Sequence, residues 1–84
     1  MIGGESVREL DLHGMSVVQA KVCVDAALRR ADKGLYRLRL IHGYHNGTAL
    51  RDELRKHYKN HPKVLRLELG MNAGITELVL REYY

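Results

Sequence analysis

At 84 residues the chain has room for one small domain with a modest core, and a formal charge of +4 makes it mildly basic. A single cysteine excludes a disulfide framework and a cysteine-built zinc site, and no stretch is long and apolar enough to span a bilayer. Nine of the 14 cationic side chains are arginines, suited to forked phosphate contacts, so the balance allows a polyanionic partner without demanding one.

Met1 to Ser6 carries glycine and lacks the apolar run of a signal peptide. It predicts a flexible N-terminus at residues 1–6, a single domain over 7–84 and a cytoplasmic location. Val7 to His13 alternates, with Leu10 and Leu12 on one face and Glu9, Asp11 and His13 on the other, which predicts a half-buried strand broken by Gly14. Ser16 and Gln19 form a capping box. Val17, Ala20, Val24, Ala27, Leu28 and Ala31 then recur at helical spacing, predicting a helix to about Lys33 with Gly34 as its C-cap. Cys23 lies on that apolar stripe and reads as a small core residue.

Tyr36 to His42 is the second predicted strand, with Leu38 and Leu40 opposite Arg37 and Arg39. A glycine-bounded loop from Gly43 to Gly47 leads to Thr48, the predicted N-cap of a helix whose inner face is Leu50, Leu54 and Tyr58. Asn60, His61 and Pro62 end it. Val64 to Leu69 and Ile75 to Glu82 are the last strands, joined by a turn short enough for an antiparallel hairpin.

The order β-α-β-α-β-β predicts an α/β fold in which the strands joined by helices run parallel. Every strand pairs a leucine face with a charged face, so both helices belong on one side of the sheet. The result is a two-layer α/β sandwich. Its open face would carry Asp11, His13, Arg37, Arg39, Arg66, Glu68, Glu77 and Arg81, either as solvated ion pairs or as a track for a phosphate backbone.

Two strands end in the same way, Leu10-Asp11-Leu12-His13-Gly14 and Leu38-Arg39-Leu40-Ile41-His42-Gly43. If the strands are parallel neighbours, both His-Gly corners meet at the carboxyl edge of the sheet, where open α/β sheets place ligands. Asp11 and His13 project to one face roughly 7 Å apart along the strand and can flank one phosphate or one attacking hydroxyl. His13 suits general acid or base work, and Asp11 could orient it, raise its pKa or itself accept a proton from the nucleophile. The competing reading is an Asp and a His that tidy a strand end.

The loop His42-Gly43-Tyr44-His45-Asn46-Gly47-Thr48 combines unpaired N–H groups with a helix N-terminus, a setting that favours phosphate. Gly43 and Gly47 permit close backbone approach, Tyr44 can stack on an unpaired base, and Arg51 can reach the same anion. This is not a P-loop, because no lysine follows Gly47. An ordinary strand-to-helix loop competes with this reading. Alternation puts His13 on the open side and His42 on the helix side, so His42 also reads as a residue that holds the loop through a backbone hydrogen bond. His42 and His45 with His13 and Asp11 offer metal ligands as well. Their placement in a glycine loop disfavours a dedicated zinc site and leaves a loosely held Mg²⁺ at Asp11 open.

The L-D-L-H-G run, the later Ile41-His42-Gly43 with Gly47 and Leu50, and Asn72, Gly74 and Thr76 before the last strand resemble the small MutS-related (Smr) domain family, from about Val7 to Arg81. The resemblance implies the fold of the C-terminal domain of translation initiation factor three: a mixed four-stranded sheet with the last strand antiparallel and inserted between the second and third. It also implies nucleic-acid binding and endonuclease activity on DNA or RNA, including messages on stalled ribosomes. Cleavage falls on Asp11 and His13, and nucleic-acid binding on His42 and Gly43. The chain departs from the family's H-G-x-G at His45, and its loop to Gly47 is one residue longer. Mismatch recognition is not implied.

Three functions follow as expectations. The first is an endonuclease acting on RNA or DNA, with Asp11 and His13 catalytic, His42, Gly43, Tyr44, His45, Gly47 and Arg51 around the phosphate, and Arg39 on the backbone. The second is a non-catalytic module docking on nucleic acid or the ribosome. The third is a small phosphometabolite-binding domain. The expected state is a monomer, either free-standing or excised from a longer protein, with no membrane partner.

Overall fold

The computed structural model describes residues 6–43 and 48–82. Among these, the elements are β1 (Val7–Asp11), α1 (Val17–Arg30), β2 (Arg37–Ile41), α2 (Ala49–Tyr58), β3 (Arg66–Leu69) and β4 (Ile75–Val79). The strands form one mixed sheet in the order β1-β2-β4-β3. β1 and β2 are parallel, and β4 is antiparallel to both of its neighbours. The two layers, the β3–β4 hairpin and the inserted last strand are therefore all present. The expected flexible segment at Met1–Glu5 lies outside the described residues. Ser6 is tied down, since its carbonyl accepts from the Tyr36 and Arg37 amides at 2.8 and 3.1 Å.

The α1 start follows the sequence closely. The Ser16 hydroxyl accepts from the Gln19 amide, and the Gln19 side chain accepts from the Ser16 amide, both at 3.1 Å. The end of α1 differs from the expectation. The helix stops at Arg30 with Ala31 as its extended C-cap, and Gly34 belongs instead to a separate turn in which its amide donates to Asp32 Oδ1 at 2.8 Å. An Asp side chain two residues upstream offers the backbone that alternative partner.

One core cluster joins Ala20, Val24, Ala27 and Leu28 of α1, Leu54 and Tyr58 of α2, and Leu38, Leu40 and Leu78 of the sheet. Both helices thus cover the same face. The fully buried Tyr58 hydroxyl fastens the helices together, 2.7 Å from Asp25 Oδ1 and 3.2 Å from the Lys21 carbonyl. Burial and the Asp25 carboxylate push this phenol well above its usual range.

Two strands depart from simple alternation. Leu65 and Leu69 were expected on the buried face, yet they are 57% and 76% exposed. They sit on or beside β3, an edge strand beyond the cover of the two helices. β4 is the reverse case: it is a central strand, and Thr76, Glu77, Leu78 and Val79 are all buried, so both of its faces are covered. The register explains the open side. Val79 lies between Arg37 and Arg66, and Glu77 lies between Arg39 and Glu68. Glu77 accepts from Arg37 Nη1 at 2.7 Å and from Arg39 Nε at 2.8 Å, while Arg37 Nη1 also reaches Glu68 at 2.7 Å. Burial alone would raise the Glu77 pKa, but the two guanidinium partners outweigh it and hold the carboxylate below its ordinary range. The long arginine stems and this ion-pair lattice close the open face over β4. Among the described residues, no buried side-chain nitrogen or oxygen lacks a hydrogen-bond partner.

Candidate functional site

Parallel pairing brings Asp11 opposite Ile41 at the carboxyl ends of β1 and β2. The ladder runs one step further, with the Leu12 amide donating to the Ile41 carbonyl at 2.8 Å. The two His-Gly corners then leave the sheet side by side. Gly14 and Gly43 both have positive φ, +78° and +76°, which lets the chain turn sharply after each histidine. A β-carbon on Gly43 would lie 3.4 Å from His13 Cβ. Glycine at that point brings the second corner against the catalytic candidate of the first.

Asp11 and His13 are joined. His13 Nδ1 and Asp11 Oδ1 share a hydrogen bond, and the His13 amide also donates to Oδ1 at 3.3 Å. The carboxylate can only accept, so Nδ1 carries the hydrogen of this bond and Nε2 takes no part in it. These bonds from His13 hold the Asp11 carboxyl below its ordinary value. Both side chains are more than half exposed. The imidazole is therefore oriented by a carboxylate that stays ionised, and it is open to a ligand.

His42 has a different position. It is buried, its Nδ1 lies 2.8 Å from the Gly43 carbonyl and its Nε2 lies 2.9 Å from Thr76 Oγ1. The carbonyl must accept, so Nδ1–H donates to it and Nε2 accepts from the Thr76 hydroxyl. Arg55 Nε donates to that same hydroxyl oxygen at 2.9 Å. One directed chain results: Arg55 to Thr76, Thr76 to His42, His42 to Gly43. Burial pushes the His42 pKa down, with Arg55 and Arg51 adding to the effect, and these outweigh the Gly43 carbonyl and Asp52. A neutral His42 fits this chain, and its work is to fix the corner.

The turn before β4 holds the corner from the other side. The His42 and Gly43 amides both donate to the Gly74 carbonyl at 3.0 Å. Asn72 Oδ1 in turn accepts from the Gly74 amide at 2.8 Å. Asn72, Gly74 and Thr76 thus act together on His42 and Gly43.

Arg51 lies in the first turn of α2, half-buried, with Nε 3.1 Å from Asp52 Oδ1. The Thr48 hydroxyl and Arg51 hold the Asp52 carboxyl below its usual range. Arg39 bridges Glu77 and Glu9 at 2.8 and 3.1 Å on the open face. Tyr44, His45 and Gly47 lie outside the described residues. Among the described residues, no three His, Cys, Asp or Glu side chains cluster as metal ligands, and no helix is long and apolar enough to cross a membrane.

The family model for the Smr domain matches residues 10–76. The chain belongs to the Smr domain family. The crystal structure of the Smr domain of Thermus thermophilus MutS2 is similar over 89% of this chain and 99% of that one, with 34% sequence identity and a TM-score of 0.78. No match is found among curated proteins. Smr domains are associated with nucleic-acid binding and nuclease activity.

Within this Smr domain, Asn72, Gly74, Thr76 and Arg55 are residues that sequence reasoning did not place in the site. Thr76 carried a signal: it is a polar residue opposite Leu40 on a face otherwise built of leucines. Arg55 follows Arg51 by one helical turn and shares its side of α2.

Proposed function

We propose that this Smr domain is an endonuclease that breaks phosphodiester bonds in RNA or DNA at the carboxyl edge of its sheet. The observation that carries this reading is the exposed Asp11–His13 pair with Gly43 against it. His13 Nε2 takes the proton from the nucleophile, and Asp11 stabilises the imidazolium that forms. On RNA the nucleophile is the 2′-hydroxyl. Its oxygen bonds to phosphorus, the bond to the 5′-oxygen breaks, and the leaving oxygen receives a proton from the imidazolium or solvent. The products are a 2′,3′-cyclic phosphate and a 5′-hydroxyl. DNA lacks that hydroxyl, so a water must be activated, work that Mg²⁺ near the Asp11 carboxylate would assist. Arg51 holds the phosphate, with Tyr44, His45 and Gly47 in the adjoining loop. The Gly43 amide is taken by the Gly74 carbonyl, so Gly43 contributes close approach rather than a donor, His42 fixes the corner, and Arg39 lies on the open face beside it.

Asp11→Asn provides the test. Binding of a labelled RNA oligonucleotide should be retained while cleavage falls by about two orders of magnitude or more. Wild-type protein that binds nucleic acid but cuts none, with or without divalent ions, would assign the domain to docking on nucleic acid or the ribosome.

A further inference from the structure

We propose that Arg55 is a phosphate contact of the carboxyl edge, holding a phosphodiester next to the one at His13. This rests on the reading that the edge binds nucleic acid, and it adds a residue from the helix side of the sheet.

Burial and charge together single it out, since Arg29, Arg30 and Arg81 also make no ion pair among the described residues but are exposed to water. Arg37 is matched by Glu68 and Glu77, Arg39 by Glu77 and Glu9, Arg66 by Glu68 and Glu82, and Arg51 by Asp52. Arg55 is half-buried, makes no ion pair among the described residues, and has the neutral Thr76 hydroxyl as its acceptor. A guanidinium drawn out of water normally has an anion beside it. The acid that faces it, Asp52, is engaged by Arg51 and the Thr48 hydroxyl. Arg51, one helical turn before Arg55, adds a second cation, so two guanidinium groups face one carboxylate and the patch is net positive.

The bond to Thr76 uses Nε alone, so the terminal nitrogens keep their donors for the forked contact that phosphate accepts. Thr76 also fixes where that fork can be, because the same hydroxyl holds His42, whose neighbour Gly43 lies against His13. Arg55 and the Asp11–His13 pair therefore flank one sheet edge from opposite faces. A single strand crossing that edge meets both, and Arg55 sets its register without reading its bases.

The test is the salt dependence of binding. Wild type, Arg55→Gln and Thr76→Val would be titrated with a fluorescent single-stranded RNA at several salt concentrations, with thermal melting to confirm folding. Arg55→Gln should weaken binding by about threefold to tenfold and lower the slope of log K against log salt by about 0.7, the loss of one phosphate contact on a single strand. Thr76→Val keeps the charge and should keep the slope. In ¹⁵N-labelled wild type, the Arg55 Nε–H resonance should shift when the RNA is added, a readout that does not require the variant to fold. An unchanged slope in folded Arg55→Gln, or an unmoved resonance with RNA bound, would overturn the proposal for Arg55 alone. Wild type that binds no oligonucleotide would overturn this proposal and the nuclease reading together.

Discussion

Gly43 lies against His13: a side chain at residue 43 would begin 3.4 Å from His13 Cβ, and φ at this position is +76°. Gly14 has nearly the same φ, +78°, but among the described residues nothing lies within 4 Å of its built β-carbon. The pair separates backbone strain away from neighbours from the same strain in contact with His13. Alanine at either position should cost about 1–2 kcal/mol through the left-handed backbone. At residue 43 the new methyl meets His13 Cβ at ordinary van der Waals distance, so any backbone shift that relieves the strain there is passed to His13, and Gly43→Ala should lose more cleavage than Gly14→Ala. Melting curves and cleavage rates for the two variants check this. Equal losses of activity would show that the contact between the corners is unimportant.

The chain of bonds from Arg55 through Thr76 to His42 requires a neutral imidazole. The folded His42 pKa is lowered from its ordinary 6.5, so below that value the unfolded chain takes up the proton first. The stabilisation is complete above 6.5 and is lost as pH falls through that value toward the lower folded pKa. Urea unfolding at pH 7.5 and at pH 5 should show the decline, and His42→Asn should flatten it while lowering stability throughout. Thr76→Val leaves the Arg55 and His42 nitrogens without their partner and should cost about 1–3 kcal/mol.

On the open face, Glu77 is the carboxylate shared by Arg37 and Arg39, and its side chain is 9% exposed. Glu77→Gln keeps the shape and removes the charge. The arginines remain partly in water, so the expected cost is about 2 kcal/mol, below that of a fully buried pair. The folded Glu77 pKa is lowered, so its stabilisation is present above the ordinary glutamate value and declines as pH drops through the folded one. Chemical denaturation of this variant at pH 7 and pH 3.5 should show a gap to wild type that narrows in acid.

Tyr58 reaches from α2 to Asp25 and the Lys21 carbonyl of α1. Tyr58→Phe should cost about 1–2 kcal/mol through lost hydrogen bonding at an otherwise intact contact. Tyr58→Ala should cost about 3–5 kcal/mol through the added cavity. Denaturant midpoints for the two variants distinguish hydrogen bond from packing.

The elements themselves were legible, because leucine alternation, the Ser16–Gln19 box and the Leu54–Tyr58 face are local signals. Strand order is not local. Nothing in Ile75-Thr76-Glu77-Leu78-Val79 says that the strand is central, so the burial of Glu77 and Val79 came only with the register. The sheet order followed from the family resemblance and not from periodicity. The corners at His13 and His42 were legible as a repeated phrase, and parallel pairing then set them side by side. What stayed hidden was the support behind them. Thr76 and Arg55 act through contacts between α2 and β4, and a sequence cannot show which helix turn meets which strand residue. Gly34 shows the opposite error: a glycine at the expected distance read as a helix cap, although Asp32 had already drawn the chain into a turn.

The most direct measurement is cleavage by wild type and His13→Ala, using end-labelled single-stranded RNA and supercoiled plasmid, each with and without EDTA. The exposed His13 side chain makes the variant a small structural change, so its melting temperature should stay close to wild type. Cleavage by wild type and its loss in the variant is the expected result, and the EDTA lanes show whether a metal takes part on each substrate. No cleavage by wild type, or equal cleavage by both proteins, would contradict the assignment of His13 and of the nuclease.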